Sequence, residues 1–171
     1  MEFYDVVQKR HSVRDFSDKP VEAIKIKNII NAAMRAPSAG NLQAYKIYLV
    51  HSQETREALL PATDYQEFIV NVPLVLVFVA DHMISESKYG ARGFELYSVQ
   101  DATIAATYAQ LAATAEGVSS VWVGAFDPLE VSRILHLMGY QVPVAILAIG
   151  YPNGPIKSTT RRPIKDMVKE I

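Results

Sequence analysis

Apolar residues in this chain alternate between two spacings, and the alternation divides it into helices and strands. A short amphipathic helix opens the chain with Phe3, Val6 and Val7 on one face. A second starts at Pro20, placed at the first helical position, with Glu22 near its positive end. Ile26, Ile29, Ile30, Ala33 and Met34 give it a stripe at three-to-four spacing, and Pro37 ends it near Ala36. After the loop Pro37–Asn41, the pattern predicts a strand over Tyr45–His51 and a helix over Gln53–Leu60. Leu74–Ala80 is apolar at every position, as in a strand covered on both faces. Residues Asp81–Gly93 are polar and irregular and predict an exposed loop. A long alanine-rich helix follows over Leu96–Glu116, stopped by Gly117, then a strand over Val118–Phe126. Asp127, Pro128 and Glu130 form a capping-box start to a helix ending at Gly139, and Val142–Ile149 is a further buried strand. From Pro152 onward the tail is rich in Pro, Gly and basic residues.

The interleaving of helices and strands predicts a three-layer α/β or α+β fold, and 171 residues without a linker or repeat predict a single domain over 1–171. Half the residues are hydrophobic and 20% are charged, with a net charge of −1. A global field for nucleic acid is therefore missing, and an anion site must come from local clustering. The charged start MEFYDVVQKR is unlike an export signal, and the apolar runs are too short to span a bilayer, so a cytoplasmic protein is expected. The absence of cysteine removes thiol nucleophiles and Cys-based metal sites.

Four segments could carry chemistry. Arg10-His11-Ser12-Val13-Arg14 offers two guanidinium forks, an imidazole and a hydroxyl within five residues, suited to a phosphate or to a solvated basic turn. The Pro37–Asn41 loop with Gln43 offers amide and hydroxyl groups at a strand entry, where a ring could approach backbone, or is a plain connector. Arg161-Arg162-Pro163, after Lys157, gains meaning only if it folds back to the anion of Arg10. Trp122–Phe126 places Gly124 between a strand end and a capped helix, open to a ligand or simply a tight turn. Neither G-x-G-x-x-G nor a P-loop occurs, and the four histidines have no zinc spacing. Asp101, a lone carboxylate on the alanine-rich helix, suits structural hydrogen bonding.

In register, RHSVRDF, APSAGNLQAY, YSVQDATIAATYAQLAATAEGVSSVWVGAF and AIGYP…RRPIKDMV resemble the nitroreductase superfamily of FMN-dependent oxidoreductases over essentially the whole chain. The resemblance implies an α+β fold, a three-layer mixed sheet flanked by helices, in an interlocked homodimer with FMN at the interface. It implies that Arg10, His11, Ser12 and Arg161 gather at the FMN phosphate and that Arg14 lies by the flavin pyrimidine edge. Pro37, Ser38, Ala39, Asn41 and Gln43 would line the ring and ribityl chain, part of this loop serving the partner subunit's flavin. Gly124 and Ala125 would approach flavin N5, with Gln66 a further ring contact. No side chain is implied as catalytic, because N5 carries the hydride. A ping-pong cycle is implied, from NADH or NADPH to a small acceptor such as a nitroaromatic or quinone, with neither nucleic acid nor membrane as partner. Branches with other redox chemistry, such as dehalogenation or flavin fragmentation, share these motifs, and a non-catalytic flavin module is a rival of another class. Ala44-Tyr45 stand where Pro-Trp is frequent, and Asp81–Gly93 is short where substrate-covering helices are often inserted.

Overall fold

The computed structural model describes all 171 residues. Its centre is a four-stranded sheet of β1 (Tyr45–Val50), β2 (Leu74–Asp81), β3 (Ser119–Val123) and β4 (Gln141–Gly150), in the order β1-β2-β4-β3. The α+β class holds, but strand directions are not mixed: all three strand pairs are antiparallel. The parallel component is a single bridge between Ser12 and Ser120 at the outer edge of β3.

The continuous apolar run of β2 follows from its central place, since alternate side chains point into two separate cores. Val75, Val77 and Val79 face one core with Leu59 of α3 (Gln53–Ala62), Ile69 of α4 (Phe68–Asn71) and Val131 of α7 (Pro128–Ile134). Leu74, Leu76 and Phe78 face the other, against Ile29 and Ala33 of α2 (Ala23–Ala33) and Ala105, Ala106, Ala109 and Ala113 of α6 (Ser98–Ala115). The expected three layers are therefore α3/α4/α7, sheet, and α2/α6. Pairing of β2 with β4 slips between Phe78–Ala145 and Val79–Pro143, a bulge where proline can be accommodated without a ladder N–H. β3 stops beside this irregularity, its last residue Val123 opposite Ile146.

Several local expectations change. α2 begins at Ala23, with Glu22 in the capping position in place of a start at Pro20. In α1 (Phe3–Lys9) only Val6 is buried, leaving Phe3 and Val7 exposed. Asp81–Gly93 is not an irregular loop: α5 (His82–Arg92) and a π-helical turn (Gly93–Tyr97) fill it. The polarity of that segment reflects one exposed helical face, while His82 and Ser85 are buried. Asp127 caps α7 by accepting Leu129 and Glu130 N–H, but the Glu130 carboxylate turns to Arg133, so only half the capping box forms. The alanine stripe of α6 is consumed inside the subunit, with Ala102, Ala105, Ala106, Ala109 and Ala113 fully buried. What α6 leaves uncovered is an apolar cleft of about 520 Å³, where Tyr108, Leu111, Ala112 and Ala115 meet Met1, Phe3 and Val6.

Candidate functional site

Arg10–Phe16 meets the free edge of β3 at its start, Ser12 bridging Ser120 before Phe16 bridges Pro152. Val13 N–H donates to Ser120 O at 3.1 Å, and this bond holds Ser12 and Arg14 at the start of the strand. The first part of the tail closes over them. Ser17 N–H donates to Tyr151 O, and Asn153 N–H donates to Asp15 O at 3.0 Å. Between the two segments lies a cavity of about 600 Å³, lined by Ser12, Arg14 and Asp15 on one side and by Asn153, Lys157 and Thr159 on the other. Two cations, two hydroxyls and an amide against one carboxylate make it a place for an anion. His11 lines a smaller adjoining cavity with Lys9 and Ser119, and its buried Nδ1 has no partner.

Arg10 and Arg161 stand outside this lining. Arg10 terminates α1, its N–H bonded to Val6 O. Arg161 points Nη1 at Thr159 O, Thr159 Oγ1 and Thr160 O, all within its own tail. Neither arginine therefore lines the cavity, whose tail side presents Lys157 and Thr159. Tyr151 fixes where the tail leaves the sheet: it donates to Glu22 at 2.6 Å, accepts from Lys25 at 2.9 Å, and has Lys19 3.8 Å above its ring. The Tyr151 hydrogen bond holds the Glu22 carboxyl below the usual carboxylate range and raises Lys25.

At the other end of β3, Gly124 and Ala125 are exposed. Gln66 Nε2 donates to Ala125 O at 3.4 Å, and Asp127 N–H donates to Ala62 O at 2.8 Å, so the turn after α3 is tied to the turn after β3. Asp64 and Tyr65 hold left-handed φ values of 51° and 55° in that turn. A Cβ at Gly124 would meet only the Trp122 ring edge, at 3.4 Å. The chain's own packing thus does not require glycine there, and the missing side chain keeps backbone accessible. Four residue steps lead from Ser120 in β3 to Gly124 just past its end, about 13 Å at strand rise. One edge therefore presents an anion cavity at one end and an open glycine turn at the other.

The Pro37–Gln43 loop lies elsewhere. It enters β1 at the opposite edge of the sheet, and antiparallel pairing places that entry at the same end as Gly124. Gly40, Asn41 and Gln43 have φ values of 56°, 58° and 51°, conformations open to Gly and tolerated by Asn. Ser38 Oγ accepts Gln43 N–H, and Gln43 Nε2 donates to Asn41 O. Beneath the loop Asp101, 2% exposed, accepts Ala39 N–H at 2.9 Å on one oxygen and Ala44 N–H at 3.3 Å on the other. Pro37, Asn41 and Gln43 are left exposed, with Ser38 and Ala39 half-buried. The structural role expected of Asp101 is thus a specific one, as the floor of this loop. Its signal in the sequence was a carboxylate in the first turn of an otherwise uncharged helix, where the dipole favours it. Nothing in residue spacing marked Asn153 and Thr159 as cavity residues.

The set splits into two groups on opposite sheet edges, with Ser12, Arg14, Gln66, Gly124 and Ala125 on one and the Pro37–Gln43 loop on the other. No group of acidic or histidine side chains could hold a metal ion, and no helix is long and apolar enough to cross a membrane.

A model of the nitroreductase family matches residues 7–64 and 62–151. A NADH dehydrogenase/NAD(P)H nitroreductase of Archaeoglobus fulgidus is 30% identical, over 86% of this chain and 83% of its own length. A NADH dehydrogenase of Thermus thermophilus is also 30% identical, over 94% and 91%. The crystal structure of a nitroreductase family protein from Streptococcus pneumoniae superimposes with a TM-score of 0.89 over 99% of this chain and all of that one, at 20% identity.

Proposed function

Given that the chain belongs to the nitroreductase family, we propose that it is an NAD(P)H-dependent oxidoreductase that binds FMN and reduces a small acceptor, such as a nitroaromatic or quinone, in a ping-pong cycle. The observation that carries this reading is the β3 edge. Its anion cavity and its open glycine turn lie about a strand apart, fit for a ligand with a phosphate at one end and a flat ring at the other. The unpartnered Nδ1 of His11 and the uncrowded Gly124 fit the same ligand, since each is a feature the chain alone does not use. FMN supplies, when bound, the two-electron chemistry that the side chains lack.

The protein's own part is to bind, orient and tune. Ser12 and Lys157 would hold the phosphate by charge-assisted hydrogen bonds, with His11 in the adjoining cavity and Arg10 one residue before it at the end of α1. Arg161 joins them only if its tail turns it away from Thr159 and Thr160. Arg14 starts from the cavity wall; with its guanidinium extended along the edge towards the Gly124 end, it would place a fixed positive charge by the electron-rich side of the ring, a preorganised stabilisation that costs no rearrangement at the moment of reaction. Gly124 and Ala125 would bring backbone to the ring, with Gln66 fixed against Ala125. The Pro37, Ser38, Ala39, Asn41 and Gln43 loop cannot reach this edge within one subunit, so a second copy would supply it. The apolar cleft around Tyr108 and Leu111 is the surface a homodimer would bury.

The decisive experiment is spectroscopic. Purified protein should carry flavin absorbance bands, and NADH or NADPH should bleach them without oxygen. A colourless protein that fails to take up added FMN would refute the reading.

A further inference from the structure

Above the Pro37–Gln43 loop lies a group of side chains that this assignment does not use. A Cβ on Gly40 would strike the Tyr89 hydroxyl and stand 2.6 Å from Lys88 Nζ, so both polar tips rest on the loop at its glycine. Lys88 Nζ is 5.4 Å from the centre of the Tyr89 ring. Arg92 lies 5.4 Å from the Tyr97 ring and donates from Nε to its hydroxyl at 2.9 Å. The two tyrosines meet edge to face at 5.2 Å. Neither cation has a carboxylate within 4 Å, although Glu86 and Glu95 belong to the same segment. One uncompensated cation and one half-buried ring thus rest on the loop itself, and a second such pair, Arg92 and Tyr97, backs them through the Tyr89–Tyr97 contact.

The backbone under this group is irregular. Gly90 has φ 58° and ψ −145°, a region essentially restricted to glycine, and a Cβ there would meet nothing within 4 Å. The requirement for glycine is therefore conformational and not one of space. A π-helical turn, an arrangement frequent at functional sites, follows at Gly93–Tyr97. Together the break and the wide turn bring Tyr89 and Tyr97 into contact across an interrupted helix.

We infer that Lys88, Tyr89, Arg92 and Tyr97 form an acceptor subsite on the Gly40 loop, selective for a planar aromatic acceptor that carries an anionic group. The inference rests on the reading of this loop as part of a redox site. Tyrosine edges and faces suit a flat ring, and the unpaired ammonium and guanidinium suit a carboxylate or sulfonate. Because the cations are exposed, the preference is modest and screened by salt.

The test compares 4-nitrobenzoate with 4-nitrobenzyl alcohol, equal in ring and nitro group but different in charge. In the holoenzyme, Lys88→Gln and Arg92→Gln should each lower the anionic-to-neutral ratio of kcat/KM by about 1.4- to fivefold, the range of exposed ion pairs. High salt should shrink the wild-type ratio towards that of the variants. A ratio unchanged in both variants overturns the subsite. A shift in NADPH-over-NADH preference with no change in the acceptor ratio overturns it too, by giving the cations to the donor's phosphate. Amide shifts of Gly40 and Gly90 on titration with 4-nitrobenzoate give a readout without turnover, and their absence counts against the site. Shifts that depend on Lys88 and Arg92 in a protein that holds no flavin would uphold the anionic-ring site and overturn only the redox reading.

Discussion

The carboxylate of Asp101 accepts the backbone N–H of Ala39 at 2.9 Å, across 62 residues of chain. Its second oxygen takes Ala44 N–H, so one buried anion holds both ends of a loop with three left-handed residues. Asp101→Ala should leave two amide donors without a partner and destabilise the protein by about 1–3 kcal/mol for each one that stays buried. Asp101→Asn keeps one acceptor and should fall between. Denaturant unfolding gives the magnitude, and faster hydrogen exchange at Ala39 and Ala44 would localise it. Unchanged exchange at both amides would remove Asp101 from this role.

At the anion cavity, Ser12→Ala and Lys157→Ala should each weaken FMN binding, Lys157→Ala by about 1.5–3 kcal/mol, as for hydrogen bonds to charged groups. Fluorescence titration of apoprotein measures this. Arg10→Ala and Arg161→Ala belong in the same series. A loss at Arg161 equal to that at Lys157 would mean that the tail rearranges when the ligand or a second subunit is present.

Arg14 should separate affinity from potential. A fixed charge by the ring stabilises the reduced, more negative form more than the oxidised one. Arg14→Ala is therefore expected to lower the midpoint potential of bound FMN while weakening oxidised FMN less. Redox titration beside the binding curve decides, and an unaltered potential would leave Arg14 as a phosphate-side residue.

Dimerisation should respond to the cleft and not to the buried alanines. Leu111→Arg places a charge in the apolar cleft and should yield a folded monomer by sedimentation. Ala109 is fully buried within the subunit, and Ala109→Arg should unfold the chain. A Leu111→Arg protein that remains dimeric would locate the interface elsewhere.

Tyr45 predicts an alkaline limit. Burial, and then the nearby Asp101 charge, raise its phenol above the ordinary value of 10.0, and its hydroxyl donates to Ala33 O at 3.1 Å. The unfolded chain loses this proton first as pH rises, so the stabilisation is complete below about pH 10 and is lost as pH rises through the folded value. Thermal unfolding from pH 8 to 11 should show that decline, and Tyr45→Phe should reduce it.

The layered core was readable because β2 and α6 obey simple rules. A strand apolar at every position must be covered twice, and the valine and leucine rows of β2 sort into the two cores. Asp127 marked the start of α7 for an equally local reason. The segment Asp81–Gly93 was misread because its helix breaks at Gly90 and widens at Gly93, which erases the periodicity on which recognition depends. The alanines of α6 gave apolarity without direction, so their burial inside the subunit could not be separated from burial against a partner. The Arg10–Arg14 motif pointed to a candidate anion site, but which tail residues close over it depends on a chain reversal at Tyr151 that no spacing encodes.

The position of the two residue groups on opposite sheet edges also bears on inheritance. If each site draws its cavity from one subunit and its loop from the other, a gene carrying a cavity lesion and one carrying a loop lesion are complementary. Co-expressed Lys157→Ala and Asp101→Ala subunits, each defective as a homodimer, would form mixed dimers in which one site receives both lesions and the other neither. Half the sites of such a heterodimer would be intact, so two failing alleles would together restore activity that neither provides alone.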